Sequence, residues 1–484
     1  MHLLNRFYTF ILLLAVCSCN EKITSFGISD KLPEIYPDYI GVTIPKNICP
    51  LDFGFAGDEY DKINVVFKAD NSQTLEVEGD EYIDIDVDKW HSLLSSANKL
   101  TVSVFGKNDN GWYKFKDFEI DIDSDEIDYG LTYRKIAPSY GIYSTIGMYE
   151  RDLSNFDEHV MIDGNQLQYT CMNCHTANRC NPDQFLMHIR GDHGGTFIKN
   201  NNQMKLYNTR TSKTFGNFQY SYWHPSGKYV VCSINSTHQG FFTLPGHKVT
   251  VMDSRSDLVV YDVEKERVIL MPELMTRDFE NFPAFSADGK KIYFSKCDSV
   301  APDQTYKKLK YNILSIDFDA ASATTTGKID TLINAKAIEK SAAQPRPSYD
   351  GKFILYSLAE SCDFTIWHQD ADLWIYNLES KQSKPLTQAN SQRAESFHNW
   401  SSNSKWIVFV SRRDDGNYSR LYISHIDENG DASKAFMLPQ RNPKEFYTQL
   451  TESYNTPDFT VKSVKFDSEL AVKQALSDFR NSVK

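Results

Sequence analysis

Beyond its first twenty residues the chain has no apolar run of the roughly 20 residues that a membrane-spanning helix requires. The mature protein is therefore expected to be soluble or tethered. Positive charge is also short: 52 Lys and Arg stand against 64 Asp and Glu, a net charge of -12. A grip on phosphate backbones needs clustered cations, so nucleic acid is not an expected partner. Hydrolase signatures are missing too, with no Gly-x-Ser-x-Gly, no His-Glu-x-x-His and no P-loop. An enzyme is thus not the first expectation, and redox chemistry is the catalytic option left open. Cysteine is sparse, nine in 484 residues, and its spacing forms no disulfide framework.

What is present begins with a basic start at His2 and Arg6, an apolar run from Phe7 to Val16, and then Cys17-Ser18-Cys19-Asn20. This is the layout of a secretory signal, residues 1–18, that ends at a lipid-accepting cysteine. Cys19 is the better acceptor because small Ser18 precedes it. An ordinary cleaved signal followed by a chance cysteine is the alternative. A lipid on Cys19 would tether the protein to a membrane, most simply the outer membrane, and place it in the periplasm or on the cell surface. The remaining cysteines would then face an oxidising compartment.

A chain of 484 residues exceeds the size at which one core stops growing, so two or three folding units are expected. Residues 19–55 carry Pro33, Pro37, Pro45 and Pro50 and read as an extended lead-in. Residues 56–130 hold short alternating runs such as Leu100-Thr101-Val102-Ser103-Val104-Phe105, separated by turns such as Asn108-Asp109-Asn110-Gly111, and predict a β-sandwich-like domain. Residues 131–200 break that pattern and read as a linker, with 146–159 expected to be helical. Residues 201–460 repeat themselves. Four hairpins, centred on Pro225-Ser226-Gly227, Ala287-Asp288-Gly289, Tyr349-Asp350-Gly351 and Ser402-Asn403-Ser404, are each followed by an outer strand pair. Gly194 to Tyr207 looks like a further copy, and the tail could complete another. Four short strands per repeat must stack radially to bury both faces. Residues 461–484 are expected to end in a short helix from about Asp467.

These repeats resemble the TolB-like propeller family, whose hallmark is a Ser-Pro-Asp-Gly-Lys hairpin; Ser286-Ala287-Asp288-Gly289-Lys290 is the nearest copy. The resemblance implies an all-β fold in which the β-sandwich-like domain precedes a five- or six-bladed TolB-like β-propeller. Propellers place binding loops in long inter-strand connections, and Ser233 to Gln239 and Trp367 to Asp372 are such segments here.

The one segment with distinctive chemistry is Cys171-Met172-Asn173-Cys174-His175. Cys-x-x-Cys-His is the attachment signature of c-type haem: two thiols add across the vinyl groups and the histidine ligates iron. The expected haem-binding residues are Cys171, Cys174 and His175. Met187, His188 and His193 are candidates for the sixth iron ligand, with His188 preferred, and Arg190 could pair with a propionate. Three other readings stay open. Zinc could be held by Cys171, Cys174 and Cys180 with His175 or His188, Cys171 and Cys174 could form a redox pair, or they could form a structural disulfide.

The Cys-x-x-Cys-His segment followed by such blades is similar to a group of exported Bacteroidetes lipoproteins. The match includes Ile44-Pro45-Lys46-Asn47-Ile48-Cys49 and Leu438-Pro439-Gln440-Arg441-Asn442-Pro443. It implies architecture and says nothing of activity. The leading expectation is a membrane-anchored haem protein that transfers electrons to, or docks, a redox partner. The alternative is a non-enzymatic propeller scaffold that binds a protein or glycan at its mouth, its cysteine cluster holding zinc or a disulfide.

Overall fold

The computed structural model describes residues 23–138, 146–244, 247–300 and 305–484. The signal segment and the lipid-accepting Cys19 lie outside the described residues. None of the described helices is long and apolar enough to cross a membrane.

Residues 62–123 form the antiparallel part of one sheet, which Gly27–Ile28 and Thr43–Pro45 join by parallel pairing, rather than the two facing sheets of a sandwich. Its central strand Lys99–Asn108 pairs with Lys62–Ala69 on one side and with Gly111–Lys114 and Phe118–Asp123 on the other. Alternation drives the strand: Leu100, Val102 and Val104 are buried while Lys99, Thr101 and Ser103 are partly exposed. The second layer is a helix, Val87–Leu94. It is capped by the Asp86 carboxylate, which accepts from the Lys89 N–H at 2.9 Å, and it buries Trp90, Leu93 and Leu94. The alternating strands were legible, whereas the helix follows Asp84-Ile85-Asp86 with only Trp90, Leu93 and Leu94 as its apolar stripe.

After this domain come six sheets, in which strands consecutive in the chain pair antiparallel. The first comprises Gly130–Ile136, Gly147–Asp152 and Glu158–Asp163, so the helix expected over 146–159 is a strand pair. Tertiary pairing decides the outcome, because Met148-Tyr149-Glu150-Arg151 is paired with a strand on each edge. The second comprises Met172–Asn178, Asn181–Ile189, Gly195–Asn200 and Gln203–Asn208. Residues 131–200 are therefore two sheets of the repeat, not a linker. The remaining four begin with Phe218–Trp223, Phe279–Phe285, Ser341–Pro347 and Glu395–Trp400.

The innermost strands touch in cyclic order. Met172–Asn178 packs on Phe218–Trp223, that strand on Phe279–Phe285, and so on through Glu395–Trp400 to Ser453–Thr460, which returns to Met172–Asn178. Ser453–Thr460 belongs to the first sheet, where it pairs with Gly130–Ile136. The C-terminal part of the chain thus closes a propeller-like ring that the earlier part opens, so that each sheet has a packing neighbour on both sides. The helix Ser468–Leu476, capped by Asp467, and the strand Asn481–Ser482 then run back along the second sheet. The domain formed by residues 62–123 shares one apolar core with the sixth sheet, and Trp406 seals that junction by donating its indole N–H to the Asp125 carbonyl at 2.8 Å.

The hairpin turns repeat their chemistry. In the fourth sheet, Asp288 accepts from the Ser286 hydroxyl at 2.7 Å and from the Lys290 N–H at 3.1 Å, and Gly289 takes a left-handed backbone at φ 73°. Gly227 and Gly351 do the same, and Ser404 occupies the left-handed position in the sixth sheet.

Candidate functional site

Each innermost strand carries a bulge at the ring axis. A single residue there adopts positive φ: Cys174, Tyr220, Phe282, Gln344, Phe397 and Thr456, with φ between 44° and 59°. At each of these places the pairing register shifts by one residue, which turns the bulged side chain toward the axis. Cys174 is thus the second sheet's copy of a structural position filled by Tyr220 in the third and Phe282 in the fourth. These six residues and their neighbours surround a narrow axial space of about 50 Å³, room for water molecules only. Asp458 is buried in it, accepting from the Ala177 N–H at 2.8 Å and from the Asn399 amide at 2.7 Å. Burial pushes its carboxyl up to about 7 against the opposing pull of the Ala177 N–H, of Arg346 and of the Thr176 hydroxyl.

At one mouth of the ring the space widens to a cavity of about 530 Å³, a volume typical of small-molecule sites. Its charged lining is mostly cationic: Arg134 from the first sheet, Arg190 from the second and Arg412 from the sixth, with Asp192 close to Arg190 in sequence. Phe364, Ile366 and Trp367 line it as well, Trp367 lying directly beneath the Arg412 guanidinium, with Phe241, Val249 and Val251 from the long hairpin built of Tyr229–Leu244 and His247–Asp262. Two rim aromatics face solvent, Tyr169 at 64% and Phe241 at 51% exposure. Gln168 and Tyr169 both hold left-handed backbone, at φ 53° and 63°. The two segments singled out as binding connections contribute here, through Thr237, Gln239 and Trp367, although the first of them is strand rather than loop.

The predicted site residues do not converge. Cys171 borders the mouth cavity, whereas Cys174 and His175 line the axial space, and Tyr220 lies on the boundary of both. His175 pairs with Met187, and His188, the next residue on that strand, pairs with Asn173. Consecutive strand residues point to opposite faces, so His175 faces the first sheet and His188 faces the third. His188 is buried there and bonds the Thr196 hydroxyl through Nδ1 at 3.1 Å. Burial, reinforced by the Arg190 charge, brings its imidazole down to about 3. Burial likewise lowers His175 to about 4, and neither of its ring nitrogens makes a hydrogen bond of good geometry. His193 is partly exposed and meets the Gln168 side chain at 3.0 Å. Arg190 donates to the Gln219 side-chain oxygen at 2.9 Å.

This arrangement does not fit a c-type haem. The axial space beside Cys174 and His175 admits only water, the two thiols open into different spaces, and His188 stands behind the sheet from His175. Zinc does not fit the cluster either. Cys180 sits in the turn at the far end of Met172–Asn178, its thiol 3.5 Å from the Trp400 carbonyl and pushed well above its ordinary range by burial and by Asp128 and Asp458. Among the described residues, the metal-ligand atoms that gather within 4.8 Å of one another belong instead to Asp123, Asp125 and His425, where the first domain meets the sixth sheet. All seven described cysteines are free thiols. Sequence reasoning missed Arg134 and Arg412. The one available signal for the former was a pair of cations, Arg134-Lys135, inside an otherwise apolar strand.

No protein-family model matches the chain, and no curated protein matches it. Among solved structures, prolyl oligopeptidase B from Galerina marginata is similar at a TM-score of 0.36 and 11% identity, over 63% of this chain and 44% of that one. The chain thus spans less than half the length of that peptidase. The periplasmic gluconolactonase of Pseudomonas aeruginosa gives a TM-score of 0.33 at 13% identity, over 64% of this chain and 96% of that one. A DUF4784 family protein from Bacteroides caccae gives 0.30 at 8% identity, over 73% and 94%. Likenesses this weak carry no argument about chemistry.

Proposed function

We propose that the protein is a non-enzymatic binding scaffold: a six-bladed propeller of TolB-like type, exported and lipid-anchored through Cys19, that takes a glycan or protein-borne group into the mouth of its ring. The observation that carries this reading is the mouth cavity of about 530 Å³, lined by three arginines, two of them buried, and by apolar side chains, with two exposed aromatics at the rim. Flat, exposed aromatic faces suit the stacking of sugar rings or of side chains, and a rigid ring of sheets presents them without an ordering cost. Left-handed backbone at Gln168 and Tyr169 is the kind of local strain that binding sites retain. Cys171, Cys174 and His175 act in this reading as parts of the second blade.

The test is an oligosaccharide and peptide array read with the full chain and with Tyr169→Ala, a rim variant that leaves the core intact. Binding to a defined set of ligands that weakens about tenfold in the variant supports the reading. Absence of binding, or binding indifferent to Tyr169→Ala and to Phe241→Ala, overturns it.

A further inference from the structure

Arg134 is 6% exposed and lines the mouth cavity. Its Nη1 donates to the Met172 carbonyl at 3.1 Å, while its Nε, buried as well, has no hydrogen-bond partner. Burial is the main influence on its guanidinium and acts against the charge; the Arg190 charge adds to that effect. The groups that favour the charge are the thiols of Cys171 and Cys174 and the hydroxyl of Tyr220, all weak acids, and no carboxylate stands among these leading influences. A guanidinium does not give up its proton, so it remains a buried cation that is only partly compensated. Arg190 brings a second positive charge to the same cavity from the neighbouring sheet, held there by Gln219. Arg412 adds a third from the sixth sheet, its guanidinium 3.2 Å from the centre of the Trp367 ring and its Nε donating to the Ile366 carbonyl at 2.7 Å.

We infer that the cavity is an anion site: Arg134 and Arg190 together receive an oxyanion, carboxylate or phosphate ester, of a ligand whose less polar body lies against Phe364, Ile366 and Trp367. This deepens the binding reading above and rests on it. Planar guanidinium groups bind carboxylate and phosphate oxygens through paired N–H donors, and an anion here would satisfy the buried Nε while relieving the repulsion between the two cations. The cavity volume suits one or two sugar rings or a short acidic side chain.

The experiment is isothermal titration of the full chain with glucuronate, glucose 6-phosphate and neutral glucose, repeated with Arg190→Gln and Arg134→Lys. We expect at least one of the two anions to bind, glucose not to bind comparably, and the affinity to fall about tenfold or more in each variant. A preference between glucuronate and glucose 6-phosphate distinguishes the carboxylate source from the phosphate source. Arg190→Gln is partly exposed and keeps the inference testable should Arg134→Lys fail to fold. If neither anion binds, or if both bind equally well to Arg190→Gln, the anion site is overturned. Neutral oligosaccharides that still bind in a Tyr169-dependent way would leave the wider binding reading standing.

Discussion

His175 and His188 stand on opposite faces of one sheet, because His175 pairs with Met187 and His188 is the residue that follows Met187 along the same strand. Two ligands on opposite faces of a hydrogen-bonded sheet cannot bracket one iron. Because Cys171 and Cys174 also open into different spaces, and the one beside Cys174 and His175 has room for water only, we expect a pyridine haemochrome spectrum of the protein, produced alongside cytochrome c maturation proteins, to show no covalent haem. A haem band that is present in the wild type and lost in Cys174→Ala would reverse this reading of the segment.

Cys174 holds φ 48° at the axis of the ring, a backbone that β-branched residues tolerate poorly. Cys174→Ala should cost little beyond the lost packing of one small side chain, whereas Cys174→Val should cost about 1–2 kcal/mol more. Urea midpoints of the two variants give the comparison. Equal midpoints would mean that the bulge is absent.

The buried histidines set an acid limit on stability. His188 is neutral in the folded chain, with its pKa brought from 6.5 to about 3, and His175 and His398 are shifted the same way by burial. Below pH 6.5 the unfolded chain takes up protons that the folded chain refuses. The stability is complete above that value and is lost as pH falls toward 3. For His188 alone the loss at pH 5 is on the order of 2 kcal/mol. His188→Gln should be less stable than wild type at pH 7.5 through loss of the Thr196 contact, and the gap should narrow at pH 5. A gap that stays constant between the two pH values would place a charged imidazole in the folded chain.

Ring closure depends on Ser453–Thr460, where Phe459 is fully buried opposite Leu131. Phe459→Ala should destabilise by about 3–5 kcal/mol, read as a lower midpoint in thermal or urea unfolding. Leu476→Ala, on a side chain that is 39% exposed, should stay within about 0.5 kcal/mol of wild type. If the two variants lie equally close to wild type, the ring does not rely on its last strand.

The β character, the repeated hairpins and the C-terminal helix near Asp467 were all legible in the linear chain. Each rests on local rules: alternation with period two, a Gly or Ser at a left-handed turn, an Asp that caps a helix. The six-sheet ring was only half legible, because Gly130–Ile136 finds its inner partner more than 300 positions away in Ser453–Thr460 and no local signal marks such a pairing. The meaning of Cys171 to His175 was decided by tertiary structure alone. In sequence, Cys-x-x-Cys-His is an attachment motif, and it overlays the repeat only once Cys174 is seen to share its bulge with Tyr220, Phe282 and Phe397. The mouth cavity is likewise a product of the fold. Arg134, Arg190 and Arg412 come from three different sheets, and only the closing of the ring carries them to one cavity.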